Sequence, residues 1–248
     1  MCDTCGCNIT PGNEHLLKEH GHLHTTESGR ESVEVLKGLL DANDHQALHN
    51  REHFARHGVL AVNLMSSPGA GKTSLLEATI DALDGRMRVA VIEGDLETEN
   101  DADRIRGKGV PAVQISTGSA CHLDAHMVHS ALHELSLDDV DIVFIENVGN
   151  LVCPASFDLG QHLNVALLST PEGDDKPAKY PVMFRSADLV LITKSDLLAV
   201  LDDFSPERAE SCLRNLASSA PLYELSSKNG AGLDTWLQWL GSARSEAA

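Results

Sequence analysis

The chain has 248 residues, of which 42% are hydrophobic, and a formal net charge of −18 at pH 7. This length can bury one substantial core with an appendage. The negative charge excludes nucleic acid and anionic membranes as main partners, because both would repel the protein. No stretch approaches the roughly 20 apolar residues of a membrane span, and no signal-peptide core is present. We expect a cytoplasmic protein whose six cysteines are thiols or metal ligands.

The first 57 residues differ in composition from the rest of the chain. Residues 1–28 contain three Cys and four His and few apolar side chains, which predicts a flexible, metal-binding tail. Residues 29–57 are predicted to form a helix, because a capping-box pattern begins at Ser28. The pattern allows a break in this helix near residues 41–44. The main domain is then expected at 58–248.

Short apolar runs alternate with helical segments from residue 58 onward. The runs typical of buried strands are 59–65, 87–92, 112–116, 141–146, 163–169, 188–193 and 222–225. The helical segments between them are 72–84, 98–108, 121–136, 206–218 and 232–240. This alternation predicts an α/β fold with a mostly parallel sheet covered by helices on both faces.

A phosphate-binding loop follows the first predicted strand. Its residues are Ser67, Pro68, Gly69, Ala70, Gly71, Lys72, Thr73 and Ser74. In a Walker A loop of this kind, backbone N–H groups and a helix N-terminus surround the β-phosphate of a nucleotide. Lys72 is expected to reach the β- and γ-phosphates, and the Thr73 hydroxyl to bind Mg²⁺. One position departs from the motif, since Ser66 stands where glycine is usual.

Two later segments predict guanine as the base. A loop with Lys194 and Asp196 follows the predicted strand 188–193. The Asp196 carboxylate would accept two hydrogen bonds from guanine N1 and N2, a pair of donors that adenine lacks, and the Lys194 stem would lie over the base. Ser227 and Lys228 follow the last short strand, where they would face guanine O6. Each segment alone is a weak signal, but their order along the chain favours GTP over ATP.

Two acidic loops are placed to sense the γ-phosphate. Asp95 follows the second predicted strand, and Glu146 ends another strand, three residues before Gly149. Asp95 is the candidate for holding Mg²⁺ or positioning water, whereas Glu146 and the Gly149 amide are candidates for the γ-phosphate side. With Lys72, these residues form the predicted catalytic set. The alternative interpretation is that each acid is a solvated helix cap.

Three cysteines, Cys2, Cys5 and Cys7, stand close enough for one loop to bring them to a single ion. Thiolates select soft or borderline metals such as Ni²⁺, Zn²⁺ or Cu⁺. If Met1 is removed, the amine and thiolate of Cys2 would chelate together, and an N/S₃ set suits square-planar Ni²⁺. The alternative is a group of reactive thiols on a flexible tail.

A second candidate metal site combines Cys121 and His122 with Cys153. Cys121-His122 stands at the start of the predicted helix 121–136, and Cys153 lies four residues past Gly149. A nucleotide-dependent change at Gly149 would therefore move a metal ligand. Two thiolates and one imidazole leave a coordination position open for water, transfer or a second subunit. The alternative is that these cysteines are small buried hydrophobic residues.

Histidines also recur every three or four residues on two predicted helices. They are His45, His49, His53 and His57 on the first helix, and His122, His126, His129 and His133 on the second. Such ridges bind metal weakly through i,i+4 pairs or are simply polar helix faces. On the sequence alone, we favour polar faces.

Together these motifs resemble the hydrogenase nickel-incorporation GTPases, the HypB family, over nearly the whole chain. The segments that carry the resemblance are CxxCGC at 2–7, SPGAGKT at 67–73, IEGDL at 92–96, VQI and TG within 113–118, CHLD at 121–124, ENVGNLVCP at 146–154, and EGDDKP and KYP within 172–181. The combination is highly specific, whereas the phosphate-binding loop alone would not be.

The resemblance implies a SIMIBI-type GTPase that forms a GTP-favoured homodimer and hydrolyses GTP slowly. It implies nickel delivery to the [NiFe]-hydrogenase large subunit precursor, together with a small zinc- and nickel-binding accessory protein. It also implies that Cys121, His122 and Cys153 bind Ni²⁺ or Zn²⁺ near the dimer interface, and that the three N-terminal cysteines form a tight nickel site. Thr193 departs from the family pattern, where Asn is commoner, and the tail has too few histidines for bulk nickel storage.

Two alternatives remain at the level of sequence. A nickel GTPase that serves urease would share the nucleotide motifs, although the N-terminal three-Cys motif fits the hydrogenase family better. A nickel store or sensor would use the nucleotide only structurally, and its role would survive the loss of Lys72.

Overall fold

The structure is a computed structural model that describes residues 29–95, 100–118 and 120–247, and only the helical backbone over 29–37. The predicted tail at 1–28, including Cys2, Cys5 and Cys7, lies outside the described residues. No helix in the described ranges is long and apolar enough to cross a membrane.

The strands of the described chain are β1 (Leu60–Ser66), β2 (Val89–Asp95), β3 (Ala112–Ser116), β4 (Ile142–Glu146), β5 (Leu163–Ser169), β6 (Leu189–Thr193) and β7 (Leu222–Glu224). They form one seven-stranded sheet in the order β3-β2-β4-β1-β5-β6-β7. Every pairing is parallel. Because the carboxyl ends of parallel strands share one edge of the sheet, the described residues that follow β1, β3, β4 and β6 lie along that edge, together with Asp95 at the end of β2.

The α-helices are α1 (Gly29–His57), α2 (Lys72–Leu83), α3 (Asn100–Arg106), α4 (Ala125–Leu132), α5 (Lys176–Lys179), α6 (Pro181–Arg185), α7 (Pro206–Asn215) and α8 (Leu233–Ala247). Short 3₁₀ turns occur at Cys153–Ser156, Thr170–Glu172 and Ser195–Leu197. These elements confirm the predicted α/β class with a parallel sheet.

Successive side chains of each strand point to opposite faces of the sheet, and both faces are buried in the core. On one face, Leu64 of β1 packs with Leu76 of α2 and Trp236 of α8. The buried Trp236 indole N–H donates to the Thr79 hydroxyl at 2.9 Å, so its polar atom is satisfied within the core. On the other face, Ala61 packs with Phe54. Helices therefore cover both sides, as the continuous apolar strands require.

The long helix α1 is joined to the domain by buried amides as well as by apolar contacts. Asn43 donates to the Asp158 carbonyl at 2.8 Å and accepts from the Ala125 N–H at 2.9 Å. Asn50 donates to the carbonyls of Ala125 and Leu159 at 2.8 and 3.0 Å. These bonds fix α1 against the start of α4.

Two sequence expectations need correction. The helix α1 runs without a break through 41–44, because the buried face of the helix continues through Asn43 and Ala47. The predicted helix 121–136 is only α4, which begins four residues later, with Asp124 as its N-cap.

Candidate nucleotide and metal site

The phosphate-binding loop lies between β1 and the N-terminus of α2, as predicted. Gly71 precedes α2 with φ +100° and no side-chain cap, a conformation that favours glycine. The first N–H groups of α2 therefore remain available to an anion. Lys72 Nζ donates to Ser66 Oγ at 3.1 Å, so the serine that departs from the usual motif holds the lysine inside the loop.

Two buried carboxyls face this loop from adjacent strands. Glu146 Oε1 accepts from the Thr73 hydroxyl at 3.0 Å and lies 3.9 Å from Lys72 Nζ. Glu93 is paired with Glu146 across β2 and β4. Glu93 Oε1 and Glu146 Oε2 have no hydrogen-bond partner among the described residues. Oxygen atoms suited to a hard cation or to polarised water are thus aimed into the site.

The electrostatics of this pair follow from burial. Burial raises the pKa of Glu93 to about 10, and the neighbouring Glu146 carboxyl adds to the shift. Burial also raises the pKa of Glu146, against the opposing effects of Lys72 and the Thr73 hydroxyl. We infer that Glu93 carries a proton and Glu146 the charge, because Glu146 accepts from the Thr73 hydroxyl and lies 3.9 Å from Lys72 Nζ, whereas the neighbouring Glu146 carboxyl raises the pKa of Glu93. Glu93 lies in the motif at 92–96, but its pairing with Glu146 follows from the sheet register, which cannot be seen in the sequence.

Asp95 and Gly149 lie on the same edge of the sheet. Asp95 ends β2 in register with Ser116 of β3, and its carbonyl accepts from the Thr117 N–H at 2.9 Å. A Cβ placed on Gly149 would lie 2.8 Å from Pro68 Cα. The loop after β4 therefore touches the phosphate-binding loop at a position where a side chain has no room.

The predicted base-binding residues gather after β6 and β7. Asp196 accepts from the Ser226 hydroxyl at 2.7 Å and lies 3.7 Å from Lys228 Nζ. The Ser226 hydrogen bond is the main cause that lowers the pKa of the Asp196 carboxyl, so this group is ionised and can accept. Ser226 was not among the predicted residues; its neighbour Ser227 was, and its role stays a prediction.

The base loop is tied directly to the phosphate-binding loop. The Thr193 hydroxyl donates to the Ala70 carbonyl at 2.7 Å, and Lys194 Nζ donates to the Gly69 carbonyl at 2.8 Å. Thr193 stands where Asn is commoner in the family pattern, and its hydroxyl supplies the donor that bonds this position to the phosphate-binding loop. Ser74, by contrast, is exposed on the first turn of α2.

The second predicted metal cluster is assembled in the structure. Candidate ligand atoms of Cys121, His122 and Cys153 all lie within 4.8 Å of one another. Cys121 Sγ is 3.0 Å from Cys153 Sγ and 3.9 Å from His122 Nδ1. Two sulfurs and one imidazole nitrogen at these separations can share one borderline metal ion.

His122 is held in place before any metal binds. It is fully buried and stacks on Phe157, with ring centroids 3.9 Å apart. Its Nε2 has no hydrogen-bond partner in the described structure. Burial lowers the pKa of His122 to about 4, so the imidazole is neutral, as a metal ligand must be. His122 belongs to the loop before α4 and not to the histidine ridge predicted for that helix.

One buried amide, Asn147 in the loop after β4, joins that loop to the loop that carries Cys121 and His122. Asn147 Oδ1 accepts from the Leu123 N–H at 3.2 Å and from the Val148 N–H at 3.0 Å. Its Nδ2 donates to Asn63 Oδ1 of β1 at 3.2 Å. The residue after Glu146 is therefore bonded to the residue after His122. Asn147 lies in the motif at 146–154, but its contact with Leu123 is 24 residues away in sequence and cannot be predicted from that motif.

These features define a class: a P-loop nucleotide-binding protein with a cysteine–histidine cluster on the same edge of its sheet. A family model described as the CobW/HypB/UreG nucleotide-binding domain matches residues 60–224. The hydrogenase maturation factor HypB of Escherichia coli (strain K12) is 49% identical over 228 residues, covering 91% of this chain and 78% of that protein. The chain belongs to the HypB family of hydrogenase maturation factors.

Two further similarities come from Helicobacter. The hydrogenase/urease maturation factor HypB of Helicobacter hepaticus is 48% identical over 203 residues, covering 80% of this chain and 83% of the relative. The crystal structure of HypB from Helicobacter pylori in complex with nickel is 44% identical in sequence, with a TM-score of 0.79. That similarity covers 83% of this chain and 96% of the other.

Proposed function

We propose that the protein is a GTPase that couples its nucleotide state to nickel binding during hydrogenase maturation. The observation that carries this proposal is the continuity of one short segment. At the start of this segment, Glu146 accepts a hydrogen bond from the Thr73 hydroxyl. In its middle, Gly149 packs against Pro68. At its end, the Cys153 sulfur lies beside the Cys121 sulfur. A change at the γ-phosphate would thus be transmitted to a metal ligand seven residues away in sequence.

The nucleotide chemistry is assigned to the phosphate-binding loop and its acidic neighbours. The backbone N–H groups of 69–74 bind the phosphates, and Lys72 moves from Ser66 to the β- and γ-oxygens. The Thr73 hydroxyl and Asp95 are the residues that would hold Mg²⁺, and oxygen donors suit that ion. When bound, Mg²⁺ supplies charge that offsets the phosphate oxygens. Glu146 and the Gly149 amide then position water and the γ-phosphate.

Guanine selection is assigned to the ionised Asp196. Its carboxylate would exchange part of its contact with Ser226 for guanine N1–H and N2–H, while the Lys194 stem covers the base. Ser227 and Lys228 would complete the pocket at O6. Changing Asp196 to Ala should lower GTP affinity at least about 100-fold, since two hydrogen bonds to a charged group are lost. ATP affinity should not change, and an equal loss for both nucleotides would reject guanine selection by this residue.

The metal cargo is assigned to Cys121, His122 and Cys153, as Ni²⁺ or Zn²⁺, with Cys2, Cys5 and Cys7 as a separate nickel site in the N-terminal tail. The related Helicobacter pylori structure in complex with nickel supports nickel as the main ion. Val152, next to Cys153, is 58% exposed, and an apolar side chain beside an open metal site suits a second subunit. We therefore place GTP-favoured homodimerisation at this edge.

The expected protein partners are the [NiFe]-hydrogenase large subunit precursor and a small zinc- and nickel-binding accessory protein. A charge of −18 supports protein partners over nucleic acid or anionic lipid. Urease is a second candidate client, because one relative is named a hydrogenase/urease maturation factor. Loss of nickel from urease, and not from hydrogenase, in cells lacking the protein would favour that client.

The deciding experiment measures nickel binding by the full chain with a GTP analogue, with GDP and without nucleotide, together with molecular mass in solution. We expect one nickel ion whose affinity differs between the GTP and GDP forms and follows dimer formation. Changing Cys153 to Ser should remove this ion, while Cys212→Ser, a cysteine on α7, is the matched control. Lys72→Ala should abolish the nucleotide dependence.

Equal nickel affinity in all three states would overturn the coupling. In that case the nickel store or sensor, with a structural nucleotide, becomes the better explanation.

A further inference from the structure

A group of histidines lies where α1 packs on α4, away from the cysteine cluster. His129 of α4 and His133, the C-cap residue that follows α4, face each other, with Nε2 atoms 3.1 Å apart. His53 of α1 stands beside them, with its ring centroid 6.3 Å from that of His133. Because the three imidazoles come from two helices, the group depends on the packing of the fold and not on one helical repeat alone.

The protonation of His129 is set by a buried amide. Asn50 Nδ2 donates to the carbonyls of Ala125 and Leu159 at 2.8 and 3.0 Å, which fixes the orientation of the amide. Its Oδ1 is therefore the atom that lies 3.1 Å from His129 Nδ1. Since an amide oxygen only accepts, His129 Nδ1 carries the proton and, in the neutral ring, Nε2 carries the lone pair.

This arrangement is the one that metal-binding histidines usually show. A ligand imidazole donates its other N–H to an oxygen, and that bond fixes the ring orientation. Two nitrogens at about 2.05 Å from one ion are separated by about 2.9 Å at a right angle and about 3.3 Å at a tetrahedral angle. The observed separation of 3.1 Å lies between these values.

The surroundings favour the neutral rings that a metal requires. Burial lowers the pKa values of His53 and His129, and the neighbouring histidines lower them further. His57 is engaged elsewhere, because its Nδ1 lies 3.1 Å from Asp138 Oδ1. His133 is exposed, so an ion can reach the group from solvent, and the acidic protein attracts cations.

We propose that His129 and His133 form a binding site for a divalent borderline transition metal ion such as Ni²⁺, and that the nearby His53 becomes a third ligand by turning its ring towards the ion. The site is separate from Cys121, His122 and Cys153, and it does not depend on the GTPase activity. An all-imidazole set binds more weakly than a thiolate set and releases its ion more readily. Since α4 begins at Ala125, His129 lies about 6 Å along the helix from the end of the cysteine site's loop.

The test is equilibrium dialysis of the full chain against Ni²⁺ at concentrations that already saturate the cysteine sites. The wild type should bind one ion more than His133→Ala, which changes an exposed side chain and leaves the core intact. His53→Ala should retain this ion with about tenfold weaker affinity. His45→Ala is the matched control, because His45 pairs with His49 at the same helical spacing, with ring centroids 4.9 Å apart.

Equal nickel binding by the wild type and His133→Ala would overturn the proposal. Loss of the same ion in His45→Ala would also overturn it, since any exposed histidine pair would then suffice. Cys153→Ser must leave this ion in place, so a failure here is distinguishable from a failure of the cysteine site.

Discussion

Two acidic side chains, Glu93 and Glu146, are buried beside Lys72. Both are nearly inaccessible to solvent, with 2% and 6% exposure. Two ionised carboxylates in such a place would repel each other strongly, so one proton is retained. The nucleotide-free site is therefore closer to neutral than its residues suggest, and it can release that proton when a cation arrives.

This retained proton predicts how stability depends on pH without nucleotide. The folded protein keeps the Glu93 proton, because the pKa is raised to about 10 from an ordinary value of 4.5, whereas the unfolded chain has lost it at neutral pH. The contribution of Glu93 to stability is thus fully present below the unfolded value and is lost as pH rises towards the folded value. Relative to Glu93→Gln, the wild type should lose up to about 1.4 kcal/mol per pH unit.

Urea unfolding of the two proteins at pH 6, 7 and 8 measures this difference directly. A constant difference across that range would show that Glu93 is ionised in the folded state.

At the scale of elements, the contact between the loop after β4 and the phosphate-binding loop is decisive. In Gly149→Ala, the new Cβ would lie 2.8 Å from Pro68 Cα, a backbone atom that cannot simply turn away. We expect a loss of about 1–3 kcal/mol in unfolding free energy and weaker nucleotide binding. Chemical unfolding and nucleotide titration measure the two effects.

Gly38→Ala on α1 is the matched control for this change. A Cβ at Gly38 meets nothing within 4 Å, and alanine favours a helix by about 0.5–1 kcal/mol over glycine. Gly38→Ala should therefore be neutral or stabilising. If both variants behaved alike, the close approach at Gly149 would carry no functional weight.

Asn147 connects the loop after β4 to the loop that carries Cys121 and His122, because its Oδ1 accepts from the Leu123 N–H. In Asn147→Ala, the ratio of nickel affinities in the GTP and GDP forms should fall towards one, because the two loops lose their shared hydrogen bonds. Asn164→Ala is the control, since Asn164 accepts from Asn63 at 3.0 Å in the same row of amides, whereas the Leu123 N–H donates to Asn147. Nickel titrations in both nucleotide states give the ratio, and an unchanged ratio in Asn147→Ala would exclude this route.

Much of the fold could be predicted because strand and helix patterns are local. Buried strands appear in the sequence as continuous apolar runs, and the phosphate-binding motif indicates where β1 ends and α2 begins. The start of α4 could not be placed by the same rule, since Leu123 continues the apolar pattern beyond the true helix. The helix begins only where Asp124 Oδ1 accepts from the Met127 N–H at 2.8 Å, and a capping bond of this kind depends on the final backbone course.

The candidate site divides in the same way. Residues within a motif, such as Lys72 or Asp196, are visible in the sequence because their spacing is fixed by one loop. Glu93 and Asn147 also lie within motifs, at 92–96 and 146–154, but their contacts cannot be seen in the sequence because they join segments that are distant in the chain. Cys121 and Cys153 come together because they follow β3 and β4, two parallel strands that are separated only by β2 and whose carboxyl ends share one edge of the sheet.

At the scale of the whole molecule, coupling between nucleotide and metal must be reciprocal. If GTP instead of GDP changes nickel affinity by some factor, nickel must change the GTP-to-GDP preference by the same factor. We expect a factor in the usual range of about 5–150. Calorimetric titration of each ligand in the presence and absence of the other gives both factors. Unequal factors would mean that dimerisation had not been held constant.

The two hydrogen bonds from Thr193 and Lys194 to the carbonyls of Ala70 and Gly69 have a further consequence for how the empty site opens. Loops that are bonded to each other cannot unfold locally one at a time, so the base-binding and phosphate-binding segments should exchange their amide hydrogens with one common opening free energy. Part of the conformational entropy of ordering the two loops is then lost during folding and not when the nucleotide arrives. The base-binding and phosphate-binding segments are therefore held in their relative positions before the nucleotide binds.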